Sequence, residues 1–182
     1  MLIKKIYFHK LYYGDYMKFM ANKSFPKKLA ERKNIDYARF LMHAYAGEIS
    51  EETAIHQYLY QSMVLPNEMQ EYKNILENIS KVEMMHLHIL GKTIKELGLY
   101  PVFADCSTKS TEYWRADYVN YEVYFEEMIK EDIKAEQEAI KDYKLLLNVI
   151  DDKYVQETLN HIIEDEYIHL EIFTKILDNL EA

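Results

Sequence analysis

The sequence predicts an all-α protein, a four-helix bundle with one long crossover between the second and third helices. Three observations point there. The 182 residues contain only four glycines and three prolines, so helix breakers are scarce. Four segments have helical periodicity and matched lengths of about 28–34 residues, roughly 42–50 Å each. Two-residue alternation of the strand type is nowhere sustained.

The first helix is expected over 35–65, where Pro66 forbids continuation. The second starts at Asn67, a good N-cap, and stops at Gly98. The third covers 117–150 and the fourth 153–180. Short links at Pro66 and at Asp151-Asp152 make the helices they join antiparallel neighbours. The longer stretch 99–116, "LYPVFADCSTKSTEYWRA", can reach about 60 Å when extended, enough to cross the length of the bundle. Residues 1–34 fit no clear period. They are expected to form a partly helical arm, preceding a bundle over 35–182.

Charge separates these two parts. The arm holds nine Lys or Arg against Asp15 and Glu31, a net of +7, and the remainder carries −16 of a total of −9. So acidic a body repels nucleic-acid phosphates, and nucleic acid is not an expected partner. The arm is expected to lie on its own acidic body or on a neighbouring subunit. No apolar run approaches the ~18–20 residues that span a bilayer, and charges interrupt the N-terminal apolar run, a poor signal peptide. The cytoplasm is the expected compartment. Cys106 is the single cysteine, which excludes an internal disulfide, a paired CxxC and a zinc ribbon.

An internal repeat carries the chemistry. "EETAIHQY" (51–58) recurs as "EQEAIKDY" (136–143), with Glu, Ala, Ile and Tyr at the same offsets. "EMMHLHIL" (83–90) recurs as "EYIHLEIF" (166–173), sharing Glu, His, Leu and Ile. The chain reads as two copies of a helical hairpin, each offering one Glu and then a Glu-x-x-His. Glu and His at i and i+3 lie one turn apart on one face, and so do Glu, Ala and Tyr at i, i+3 and i+7. If those faces meet at the bundle axis, the core holds Glu51, Glu83, His86, Glu136, Glu166 and His169. The alanines leave room beside them, and Tyr58 and Tyr143 are placed to hydrogen-bond into the site. Four carboxylates in a desolvated core repel one another, and two divalent cations cancel their charge. Mixed carboxylate and imidazole ligands suit iron or manganese, with zinc possible. One Glu-x-x-His is a weak signal on a Glu-rich helix. Two of them, each preceded by the same Glu-x-x-Ala-x-x-x-Tyr helix, are a strong one.

On these residues the chain, over about 36–180, resembles the ferritin-like superfamily of bacterioferritins, rubrerythrins and manganese catalases. "EETAIHQYLYQSM" looks most like the bacterioferritin ligand helix. The resemblance implies that Glu51 and Glu136 are single-Glu ligands, that Glu83 and Glu166 bridge two metals, and that His86 and His169 are terminal nitrogens. It implies that Tyr58 and Tyr143 are the family's tyrosines behind the ligands. There are departures. Rubrerythrins carry an extra carboxylate three residues after the third-helix ligand, where this chain has Ala139, and typically append a paired-CxxC iron site that one cysteine cannot build. Bacterioferritins add a fifth helix that helps close a 24-subunit shell. This sequence stops at Ala182, so a cage is not expected. Manganese catalases have a longer crossover. Met84 stands where bacterioferritins can place a haem-ligating methionine, but Met84 and Met85 are expected to pack, and haem is not expected.

Other residues receive plainer expectations. His56 can pair with Glu52, His43 and His161 are expected in packing or on the surface, and His88 has no evident partner in the pattern. Glu48 and Glu52 are expected to be neighbours of Glu51, either solvated or supporting the site from behind the ligands. The function expected is a dinuclear iron or manganese oxidoreductase acting on hydrogen peroxide or dioxygen, with peroxide detoxification first. No second redox cofactor is visible, which favours peroxide disproportionation, or ferroxidase chemistry on Fe2+ as the alternative. A bundle merely stapled by metals is the non-catalytic alternative. A homo-oligomer, dimer or larger, is expected.

Overall fold

A computed structural model describes residues 19–108 and 110–181 of the chain. α1 (Ile35–Ala46) starts at Asn34, whose side chain accepts from the backbone N–H groups of Asp36 and Tyr37. It ends at Gly47. α2 (Glu51–Val64) starts afresh at Ser50, whose hydroxyl accepts from Thr53 N–H. The single helix expected over 35–65 is thus two helices with a bend between them. A Cβ at Gly47 would sit 2.7 Å from the His43 carbonyl oxygen, so the chain closes on itself there in a way only glycine allows. Ser50 adopts extended backbone (φ −159°, ψ 165°), which breaks the helix and caps the next.

Pro66 follows, and Asn67–Met69 form one 3-10 turn before α3 (Gln70–Leu97). Asn67 therefore lies inside that turn and is not the N-cap of the long helix, which has no side-chain cap. Gly98 stops α3 in the left-handed conformation (φ 106°), as expected of a glycine at this position. The crossover is longer than 99–116. It contains a short antiparallel pair, β1 (Ala104–Asp105) with β2 (Glu112–Tyr113), then a 3-10 turn at Ala116–Tyr118. α4 begins only at Phe125 and runs to Val149. Residues 117–124 stay out of the helix partly because Asn120 N–H is held by Gln57 Oε1 of α2 at 3.1 Å. α5 (Lys153–Glu181) starts behind Asp152, whose Oδ1 accepts from Tyr154 and Val155 N–H.

α2 packs along α3, and α4 along α5, with α1 laid on α3 and α4. Among the described residues the apolar interior is in two parts. One gathers Leu41, Leu90, Ile94, Leu159 and Ile162. The other gathers Tyr58, Leu76, Ile79, Met128 and Phe173. On α3 and α5 the stretches between the two parts are 80–89 and 164–171, where the Glu-x-x-His motifs lie.

Residues 19–34 contain no helix, and the rest of the arm lies outside the described residues. Its contacts are made more by backbone than by lysines. Ala21 N–H donates to Asp165 (2.6 Å), Leu29 N–H to Glu96 (3.2 Å) and Glu31 N–H to Asp152 (2.7 Å). Lys23 adds an ion pair to Glu164 at 3.3 Å. Met84 and Met85, expected to pack, are 43% and 44% exposed. They fall on the side of α3 turned away from Glu83 and His86. Among the described residues no helix is long and apolar enough to cross a membrane.

Candidate metal centre

Each of the six residues expected at the axis is buried, between 0% and 4% exposed. They form two overlapping groups, Glu51, Glu83, His86 and Glu166, and Glu83, Glu136, Glu166 and His169. Within each group one nitrogen or oxygen per residue lies within 4.8 Å of all the others. Glu83 and Glu166 belong to both. The sharing follows from the repeat: each hairpin gives one Glu to a group of its own, and both Glu-x-x-His helices face the axis.

The histidines point the same way. His86 Nδ1 lies 2.9 Å from Glu83, 3.3 Å from Glu166 and 3.5 Å from Glu51. His169 Nδ1 lies 2.9 Å from Glu83 and 3.3 Å from Glu166. Their Nε2 atoms face outward, that of His86 to Asp165 Oδ2 (3.0 Å) and that of His169 to the Phe19 carbonyl (2.9 Å). Behind the outer carboxylates, Tyr58 donates to Glu136 and Tyr143 donates to Glu51.

Burial is the largest single influence on each of the six groups, and it sets the outcome at two of them. It holds the Glu51 and Glu136 carboxyls well above the ordinary carboxylate range, with Glu166 raising both further. Burial opposes ionisation of Glu83 and Glu166 too, but hydrogen bonds and charges from the histidines outweigh it and leave both below their ordinary values. Burial also opposes charge on His86 and His169, and the surrounding carboxylates outweigh it and raise both. The balance favours the proton on Glu51, Glu136 and the two rings and the carboxylate form of the shared Glu83 and Glu166. Among the described residues Glu83 Oε1 is buried without a hydrogen bond despite its closeness to His169 Nδ1. A lone pair left facing the cluster, in a site of four carboxylates and two imidazoles, fits two divalent cations in place of those protons.

A cavity of ≈240 Å³ reaches this cluster between α2 and α4. Its inner wall includes Glu51, Tyr58, Glu136 and Tyr143, and its outer part Glu48, Lys134, Glu138 and Asp142. Ala54 and Ala139 line it, so the small side chains of the repeat do leave room.

Glu48 is exposed, as expected, and lines the outer cavity. Glu52 pairs with His56 at 3.0 Å. His88 is exposed, and His43 bonds Asp105 at 2.7 Å. His161 is buried and stacked on Phe25 at 4.0 Å. Sequence reasoning missed Asp165 and the Phe19 carbonyl. Asp165 had a signal, as the acidic residue immediately before the Glu166-x-x-His169 motif. The carbonyl had none.

This fold and this cluster define a ferritin-like bundle with a buried dinuclear carboxylate site. The family model described as Rubrerythrin matches residues 39–177, and the chain belongs to the rubrerythrin family. It is similar to a protein of Clostridium acetobutylicum named "Probable manganese catalase", 27% identical over 172 residues, 83% of this chain and 74% of that one. Among solved structures it is similar to a manganese catalase from Anabaena, with TM-score 0.78 and 26% identity, covering 89% of this chain and 81% of that one. A bacterioferritin of Desulfovibrio desulfuricans shares the fold, with TM-score 0.66 and 24% identity over 81% of this chain and 84% of that one.

Proposed function

We propose that the chain is a dinuclear manganese or iron protein that disproportionates hydrogen peroxide. The observation that carries this is the pair of overlapping ligand groups sharing Glu83 and Glu166. The similarity to two proteins named as manganese catalases supports the choice of substrate.

Glu51, Glu83, His86 and Glu166 would hold one ion, and Glu83, Glu136, Glu166 and His169 the other. Two such ions, when bound, supply a store of two electrons, taken from one peroxide and returned to the next. The chain's own residues do the rest. Tyr143 and Tyr58 fix the orientation of Glu51 and Glu136, so the outer carboxylates keep one face toward the cavity. The cavity has room for several molecules the size of water or peroxide. Glu48, Glu138 and Asp142 outnumber Lys134 in its outer part, which disfavours anions and admits a neutral peroxide.

The same acidic lining favours a second reading, in which Fe2+ enters as substrate and is oxidised. Native purification with metal analysis, followed by oxygen evolution from added peroxide, tests both. Two ions per chain with rapid oxygen release is the expected result. Consumption of Fe2+ to a ferric product without oxygen release would select the second reading. Metals bound with neither activity would leave the stapled bundle, and fewer than one ion per chain would remove the metal-based proposal.

A further inference from the structure

The two hairpin copies differ at one place that matters for the histidines. Asp165, immediately before Glu166, accepts from His86 Nε2 at 3.0 Å. The residue at the same place in the other copy, immediately before Glu83, is Val82, which is buried and has no acceptor on its side chain. His169 nevertheless has a partner, the carbonyl oxygen of Phe19, 150 positions away and 2.9 Å from its Nε2. A carbonyl can only accept, so Nε2 carries the proton and Nδ1 is the nitrogen turned to the carboxylates.

The same segment reaches the other histidine indirectly. Ala21 N–H donates to Asp165 Oδ1 at 2.6 Å, which leaves Oδ2 for His86. Phe25 stacks on His161 and presents an edge contact to His86, with ring centres 6.4 Å apart. The Phe19 side chain is itself packed against the apolar group of Tyr58 and Phe173. That anchors the carbonyl it carries.

We infer that residues 19–25 are a positioning strap for the metal centre, with the Phe19 carbonyl supplying for His169 the acceptor that the repeat lacks at Val82. The inference rests on the dinuclear reading. Phe19 acts through His169 and touches no reacting atom. Partners of this kind fix the tautomer and ring orientation of a ligating histidine, and their loss typically costs 10–100-fold in metal affinity.

The test uses the full chain. In the Zn(II)-loaded wild type, nitrogen-resolved NMR of the ring is expected to find His169 protonated at Nε2 and metallated at Nδ1. The reverse assignment overturns the inference. Phe19→Ala frees the carbonyl from its anchor and is expected to weaken Mn(II) binding by about 10–100-fold at one of two sites. Adding Val82→Asp, which places a carboxylate where the repeat puts Asp165, is expected to restore that affinity. A merely structural role for Phe19 gives a loss that Val82→Asp does not restore, and that outcome, or unchanged affinity in Phe19→Ala, overturns the inference. If Phe19→Ala does not fold, judged by its helical circular dichroism, the ring assignment decides alone. A wild type that binds no pair of ions fails the dinuclear reading instead, so the two failures are distinguishable.

Discussion

The hydroxyl of Tyr143 donates to Glu51, a residue 92 positions earlier on the other hairpin, and Tyr58 donates to Glu136 in the mirror-image contact. The repeat is therefore interlocked. Each copy supplies the tyrosine that orients the other copy's outer carboxylate. Tyr143→Phe and Tyr58→Phe are expected to cost about 10–100-fold in Mn(II) affinity each, by equilibrium dialysis, with little change in the helical circular-dichroism signal. A loss confined to one of the two would mean that only one contact matters.

Three glutamates stand close together at the start of α2, and only Glu51 faces the cluster. Glu52 bonds His56 and Glu48 is exposed. Glu51→Ala and Glu136→Ala are expected to lose bound metal and peroxide turnover, while Glu52→Ala keeps both. Metal analysis of the three purified variants checks the register, and equal losses would contradict it.

Metal and protons compete for the same atoms. Glu51, Glu136, His86 and His169 all hold protons more tightly than their ordinary values, because of burial for the two carboxyls and surrounding carboxylates for the two rings. Cations must displace those protons, so binding releases protons and weakens as pH falls. Calorimetry of Mn(II) binding in two buffers of different ionisation enthalpy should show net proton release that grows toward acid pH. A buffer-independent enthalpy would refute it.

The six side chains of the cluster were legible because helical spacing and a repeat are both properties of a one-dimensional string. Glu51 could be chosen over Glu48 and Glu52 from its alanine at +3 and tyrosine at +7. The bend before Glu51 was also written in the sequence, as Gly47 followed by Ser50-Glu51-Glu52, a stop signal and then a capping signal. Helical spacing on either side of it, with Pro66 as the evident stop, concealed it. The Phe19 carbonyl belongs to a different kind of information. Every residue has a carbonyl, and which one reaches His169 depends on the path of an aperiodic segment. The late start of α4 is similar, since Asn120 is held by Gln57, a partner 63 positions away.

The bend itself can be tested. Gly47→Ala places a methyl group 2.7 Å from a backbone oxygen, which cannot rotate aside as a side chain could. A stability loss of about 1–3 kcal/mol is expected. Glu51 opens α2 four residues later, so the displaced helix start should also reduce metal affinity. Urea denaturation together with metal titration checks both, and unchanged values in each would show that the bend relaxes freely.

A separate buried carboxyl sets a pH dependence. Asp132 on α4 accepts from the side-chain amides of Gln57 and Gln61, both at 2.8 Å to Oδ1, while its Oδ2 is buried without a partner among the described residues. Burial pushes its pKa up to about 7, against the bonds from Gln61 and Gln57, which lower it. The folded chain therefore binds this proton more tightly than the unfolded chain does. Below about pH 4 the group is protonated in both states and contributes nothing. Between about pH 4 and 7 the unfolded state gives up the proton first, so stability falls as pH rises, and above about 7 the full penalty is present. Asp132→Asn keeps an acceptor oxygen for the two glutamines and removes the charge. Its stability relative to wild type should rise across that window and level off above it, with a ceiling on the order of 4 kcal/mol. Urea midpoints of both proteins at matched metal loading, from pH 5 to 9, measure the difference. A difference that stays flat from pH 5 to 7 would place the Asp132 carboxyl at its ordinary value and show that water or a shifted glutamine solvates it.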